Sequence, residues 1–339
     1  MPRPLLTSLL LFAFAPLASA ADDPWLHFAP GKATLGQGKK IVLISGDEEY
    51  RSEEALPALG KILAERHGFD CTVLFAIDPK DGCIQPNVNN NIPGLEKLKD
   101  ADLMVVFTRY RDLPDEQMKH VVEYLEAGKP VVGLRTATHG FNLKGKTYAK
   151  YSTNSKEKGF EGGFGKAILG ENWVAHHGNH GSQGARGIVV SEQKKHPILR
   201  GIEKDSIFGT SDVYTVNLPL PGDSQPLVLG EVTETLKPDP KGISGKKNDP
   251  MMPVAWTKTY SVTEGKKGRV FTTTMGASQD IEFEGTRRMI ANGCLWALGL
   301  EEKIPEKTDV AFVGEFKASP FKFRKSEDWK PGKKPSELK

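Results

Sequence analysis

Lys40-Ile41-Val42-Leu43-Ile44-Ser45-Gly46 is an unbroken apolar run set between a lysine and a glycine. Continuous apolarity, rather than alternation, is what a strand needs when helices cover both faces of its sheet. The residues that follow place Leu56, Leu59, Gly60 and Leu63 at helical spacing, and Pro57 is tolerable if it falls in the first turn. The rhythm then repeats. Residues 72–77 read as a second strand and 101–107 as a third; Met118, Val121, Val122 and Leu125 mark a helix closed by Gly128 and Pro130, and 130–134 form a fourth strand. Strands alternating with amphipathic helices predict an α/β domain: a doubly wound, mostly parallel sheet with helices on both faces.

Beyond about residue 138 the rhythm loosens. Glycine-rich loops run to Gly187, short strands are predicted at 188–190, 213–216, 227–232, 252–256 and 270–275, and a helix at 282–300 closes the domain. The domain is expected to span 40–302. An irregular lead-in at 21–39 precedes it, and an extended tail at 303–339 follows, rich in lysine and proline and expected to be poorly ordered from Lys317 onward.

At the N-terminus, Arg3, the apolar stretch from Leu5 to Leu17, and Ala18-Ser19-Ala20 follow the order of a secretory signal, so residues 1–20 are expected to be removed after Ala20. The apolar stretch is shorter than the ~20 residues a bilayer span needs. The expectation is a secreted, periplasmic protein without a transmembrane span, with an uncleaved N-terminal anchor as the competing reading. A chain of 339 residues, 38% hydrophobic and 26% charged, is an ordinary globular composition. Its net charge of +3 is scattered over the ends and over loops such as Lys194-Lys195 and Lys246-Lys247, which argues against a nucleic-acid partner. With three cysteines at least one is unpaired; Cys71 and Cys83 could form a disulfide, and Cys294 reads as a small buried hydrophobe.

In an open α/β sheet, ligands bind outside the carboxyl ends of the strands. Here those ends are polar: Asp47-Glu48-Glu49-Tyr50-Arg51 after the first strand, Thr108-Arg109-Tyr110-Arg111 after the third, and Arg135-Thr136-Ala137-Thr138-His139 after the fourth. Arginines, carboxylates and a histidine at neighbouring strand ends suit an anionic or hydroxyl-rich ligand; a rim of surface ion pairs would have the same composition. A second concentration, Trp173-Val174-Ala175-His176-His177-Gly178-Asn179-His180-Gly181, carries three of the eight histidines. His176, His177 and His180 are candidates for a divalent metal or for acid–base work, although no established zinc spacing accompanies them. Glycine-rich phosphate loops and a Gly-x-Ser-x-Gly elbow are missing where nicotinamide or serine-hydrolase chemistry would need them.

The order of several segments resembles the trehalose-utilisation (ThuA-like) family. The resemblance rests on Val131-Val132-Gly133-Leu134-Arg135, Gly170 to Trp173 leading to His176, His196-Pro197-Ile198 with Gly201, Ser211-Asp212-Val213-Tyr214, Pro253-Val254-Ala255-Trp256 and Gly268-Arg269-Val270-Phe271. It implies kinship with class I glutamine amidotransferases and hence a flavodoxin-like sheet. Those enzymes carry a nucleophilic cysteine in the turn after the strand ending at Leu134, where this chain has Arg135, so glutaminase activity is not expected. Many ThuA-like proteins carry a histidine at this turn and another at the position of Ala277.

The resemblance also implies a carbohydrate partner, such as a disaccharide or keto-sugar. Asp47, Glu48, Arg109, Tyr110 and Trp173 are the expected substrate-binding residues. His139 and His176 are expected to move protons, with Arg135 as an electrophile whose removal costs function rather than stability. An isomerase, lyase or hydrolase fits this set. A non-catalytic sugar-binding protein and a cell-surface interaction protein are the alternatives, and the oligomeric state is open.

Overall fold

The computed structural model describes residues 23–238 and 241–338. The signal-sequence expectation therefore lies outside the described residues. The opening apolar run is strand β2 (Lys40–Gly46), buried at every position but Lys40. It pairs in parallel with β3 (Asp70–Phe75) on one side and β4 (Leu103–Thr108) on the other. β4 continues in parallel to β5 (Val131–Leu134), and β5 to β12 (Gly268–Thr273). The five parallel strands thus lie in the order β3-β2-β4-β5-β12, which is the flavodoxin-like winding with its reversal between β2 and β4.

Antiparallel strands extend the sheet beyond β12 through β11 (Met252–Tyr260), β10 (Gln225–Val232), β7 (Ala185–Val189) and β8 (Phe208–Gly209). A separate ribbon pairs β6 (Ala175–His176) with β9 (Tyr214–Thr215). Successive residues of β2 feed opposite sides. Ile41 and Leu43 pack with α1 (Ser52–His67) and α3 (Glu284–Ala297), while Val42 and Ile44 pack with α2 (Asp115–Glu126). Each such buried aliphatic side chain contributes about 1.5–3 kcal/mol of transfer free energy, which holds both helical layers on the sheet.

Several expectations need correction. Pro57 lies in the second turn of α1, not the first, so the Glu53 carbonyl lacks its usual helical donor. The lead-in is not wholly irregular: Trp25–Phe28 forms β1, antiparallel to β3, because Leu26 finds a fully buried position at that edge. Cys71, Cys83 and Cys294 are all free, with Cys71 directed into the core and Cys83 in a partly exposed loop.

The C-terminal tail is laid along the domain. Arg287 and Arg288 of α3 donate to the carbonyls of Val310 (2.6 Å) and Thr308 (3.1 Å), and Arg287 sits over the Phe312 ring. Composition pointed to disorder; what orders the segment is capture of its backbone carbonyls by buried arginines together with its widely spaced phenylalanines.

Candidate functional site

Asp47 organises the turn after β2. Its carboxylate is fully buried and accepts from the backbone N–H of Glu49 (2.7 Å), from that of Tyr50, and from the Thr136 hydroxyl (2.7 Å). Burial, with the neighbouring Glu48 charge, raises its pKa to about 6. Asp47 is thus a hidden brace between two strand ends, and not the ligand contact its position suggested.

Glu48 clamps both arginines of the next strand end, accepting from Arg109 (2.5 Å) and from Arg111. This pair spans the reversal between β2 and β4. All three turns hold a non-glycine residue in left-handed backbone: Arg51 at φ 62°, Tyr110 at φ 46° and Arg135 at φ 44°. Such strain persists only where surrounding contacts over-determine it, and it clusters at functional sites.

The histidine loop is anchored by its own short ribbon, which the sequence did not reveal. Pairing of β6 with β9 sets His176 opposite Tyr214 and carries Asp212 beneath the loop. Asp212, fully buried, accepts from His176 Nδ1 (2.8 Å), from His180 Nδ1 (3.1 Å) and from Arg135 Nη2 (3.0 Å). His180 Nε2 reaches Glu49 at 3.1 Å.

Burial opposes the charge of Asp212, yet hydrogen bonds from His176 and His180 and the Arg135 charge outweigh it and hold the carboxyl far below its usual range. Hydrogen bonding to Asp212 and Glu49 pushes His180 up to about 9, so it is an imidazolium at neutral pH. Asp280 fixes the segment that carries Asp212: it accepts from Ser211 N–H (3.0 Å) and Oγ (2.5 Å) and from the N–H of Ala277 (3.2 Å).

Arg135 is placed differently from its expected role. Its side chain is 1% exposed, donates to Thr274 O, Asp212 O and Tyr50 Oη, and lies between the rings of Tyr50 (4.3 Å) and Tyr214 (3.7 Å). It positions Asp212 from inside the packed core. His139 is 3% exposed, and burial followed by the charges of Arg109 and Arg135 holds its pKa well below the ordinary value. It stays neutral among Tyr110 (4.8 Å), Trp173 (5.3 Å) and Tyr214 (6.0 Å).

His177 leaves the metal candidates, because its Nε2 donates to Lys247 O (2.8 Å) and its Nδ1 meets Thr215 Oγ1 (3.2 Å). Among the described residues, the donor set that could hold a divalent ion is His176, His180 and Asp212, whose ligating atoms lie within 4.8 Å of one another. Two imidazoles and a carboxylate suit a divalent transition metal, while the Arg135 cation on the same carboxylate opposes one.

Glu49, Tyr50, Asp212 and Tyr214 were not singled out by sequence reasoning. All four stand in quoted runs, Asp47 to Arg51 and Ser211 to Tyr214, and the signal was their adjacency to a strand end or to a family motif.

The flavodoxin-like sheet defines an α/β protein of the doubly wound class. The chain belongs to the trehalose-utilisation (ThuA) family, which matches residues 40–297. Among solved structures it is similar to a ThuA-like protein from Parabacteroides merdae, at 17% identity and a TM-score of 0.50, covering 85% of this chain and 98% of that one. Another ThuA-like protein, from Bacteroides uniformis, is 16% identical with a TM-score of 0.46, covering 79% and 94%. No curated protein matches.

Proposed function

We propose that this ThuA-family protein is exported and performs acid–base chemistry on a carbohydrate carrying a carbonyl, with His176 as the base. The observation that carries this reading is the sharing of one buried carboxylate by two half-exposed histidines. An ionised Asp212 can only accept, so His176 presents its proton at Nδ1 and leaves Nε2 with a lone pair for a ligand. The His180 imidazolium, with its ring centroid 4.4 Å from that of His176, supplies positive charge beside it.

Beside a sugar carbonyl, His176 Nε2 takes the proton from the neighbouring carbon and the C–H electron pair moves toward the carbonyl oxygen. Return of the proton at the former carbonyl carbon, with the hydroxyl proton of the deprotonated carbon passing to the enolate oxygen, completes an isomerisation; collapse of the enolate with loss of a β-substituent, which leaves with its bonding electron pair, makes the reaction an elimination. Arg135 and Glu49 hold Asp212 and His180 in place. A thioester route to glutamine hydrolysis lacks its nucleophile, since Arg135 occupies the turn.

A second reading is supported by the compact donor set of His176, His180 and Asp212, in which a divalent ion acts as Lewis acid on the same substrate. Titrating purified protein with disaccharides and their keto derivatives, with metal content measured on the same sample, tests both. Turnover or binding by metal-free protein that is lost in His176→Gln supports the first reading. Turnover that depends on a stoichiometric metal supports the second, and no response to any sugar removes both.

A further inference from the structure

The C-terminal segment lies outside the residues that match the family, yet it crosses the candidate site. Its backbone is latched there: Lys322 N–H donates to Glu49 O (3.0 Å), Arg51 Nη2 donates to Lys322 O (2.6 Å), and Ser319 N–H donates to Glu54 (2.8 Å). The latch places Phe321 in stacked contact with Tyr50 (5.1 Å) and 5.3 Å from the His180 ring. Two residues on, Phe323 packs against the Arg109 guanidinium at 4.9 Å.

These two contacts close a circuit. From His180 the ring contacts pass to His176 (4.4 Å), then to Trp173 (5.6 Å) and to His139 (5.3 Å). They continue through Tyr110 (4.8 Å) to Arg109 (5.0 Å), which Phe323 joins back to Phe321 through the chain. Among the described residues the exposed large apolar side chains are Val174, Leu218 and Phe323. Of those three, Phe323 stands on this circuit and Val174 follows Trp173 in sequence.

We infer that the C-terminal segment completes the ligand site, with Phe321 beside His180 and Phe323 beside Arg109 forming an aromatic wall against which a pyranose ring stacks. The inference rests on the carbohydrate reading above and assigns that site a second aromatic face. Sugars present apolar C–H faces as well as hydroxyls, so an aromatic wall beside the Glu48–Arg109 pair matches both. The Glu49 and Arg51 contacts tie the wall to the turn after β2, whose Glu49 also holds His180.

The test uses the full-length protein and its Phe323→Ala, Phe323→Tyr and Phe321→Ala variants, titrated with trehalose, maltose and their keto derivatives, with thermal melts on each. Phe323 is more than half exposed, so its truncation leaves the fold intact. The expected result is binding weakened about tenfold in Phe323→Ala and Phe321→Ala and retained in Phe323→Tyr, in line with a lost aromatic contact. Wild-type affinity in both alanine variants, alongside loss of binding in His176→Gln, overturns the aromatic wall and leaves the carbohydrate reading standing. A wild-type protein that binds no sugar of the panel overturns both.

Discussion

Arg135 and Asp212 form a buried ion pair, 3.0 Å between Nη2 and Oδ1, with side chains 1% and 0% exposed. The pair is built from the turn after β5 and the segment before β9, which lie far apart in sequence. It ties the flavodoxin-like core to the histidine loop, so stability and the proposed chemistry share one contact.

Arg135→Ala is therefore expected to destabilise the protein strongly, against the sequence-based expectation of an unchanged melting temperature. Removing one partner of a buried pair leaves the other charge unpaired, which costs about 3–5 kcal/mol. Urea melts of Arg135→Ala and Asp212→Asn measure this, and a loss below about 1 kcal/mol in both would place the pair outside the stabilising network.

The two adjacent histidines are expected to part company. His176→Gln should abolish turnover or ligand response and lose about 1.5–3 kcal/mol with its hydrogen bond to the buried Asp212 carboxylate. His177→Gln should keep the response and lose roughly 1 kcal/mol with its bond to Lys247 O. Equal functional loss in both variants would contradict the placement of His177 outside the site.

Glu53, paired with Arg51 at the turn after β2, makes stability pH-dependent. Its carboxylate is buried beside Arg51 with neither oxygen hydrogen-bonded, and burial, opposed by the Arg51 charge, raises its pKa from 4.5 to about 8. A carboxyl whose folded value is raised contributes stability that is full below pH 4.5 and lost as pH rises through about 8. Glu53→Gln should match wild type at low pH and become more stable than it by on the order of 3 kcal/mol at pH 9. Melts at a series of pH values check this, and parallel curves for the two proteins would contradict it.

Chelation separates the two readings of the histidine cluster. With Arg135 already on Asp212, dialysis against EDTA is expected to leave activity and melting temperature unchanged. Loss of activity restored by a single divalent ion would favour the metal reading instead.

The parallel core was legible from residue order because a strand covered on both faces must be apolar throughout, as Ile41 to Ile44 are. The strand ends were legible too, since parallel strands deliver their carboxyl ends to one edge; Glu48 and Arg109 do meet there. Burial at that edge was not legible. Asp47, Arg135 and His139 have the composition of ligand contacts, and only the packing of Tyr50, Tyr214 and the histidine loop over them turns them inward.

The sequence by itself determined the family and the alternation of buried strands with helices, because these follow from motifs in fixed order and from local periodicity; the flavodoxin-like winding followed from the family resemblance. Tertiary structure alone decided that Asp212 is the carboxylate shared by His176 and His180, that His177 is turned away, and that the lysine-rich tail is ordered and brings Phe321 to the site. Each of these depends on contacts between segments tens to hundreds of residues apart, such as Arg51 with Lys322, and neither composition nor periodicity records which distant backbone carbonyl a buried guanidinium will find.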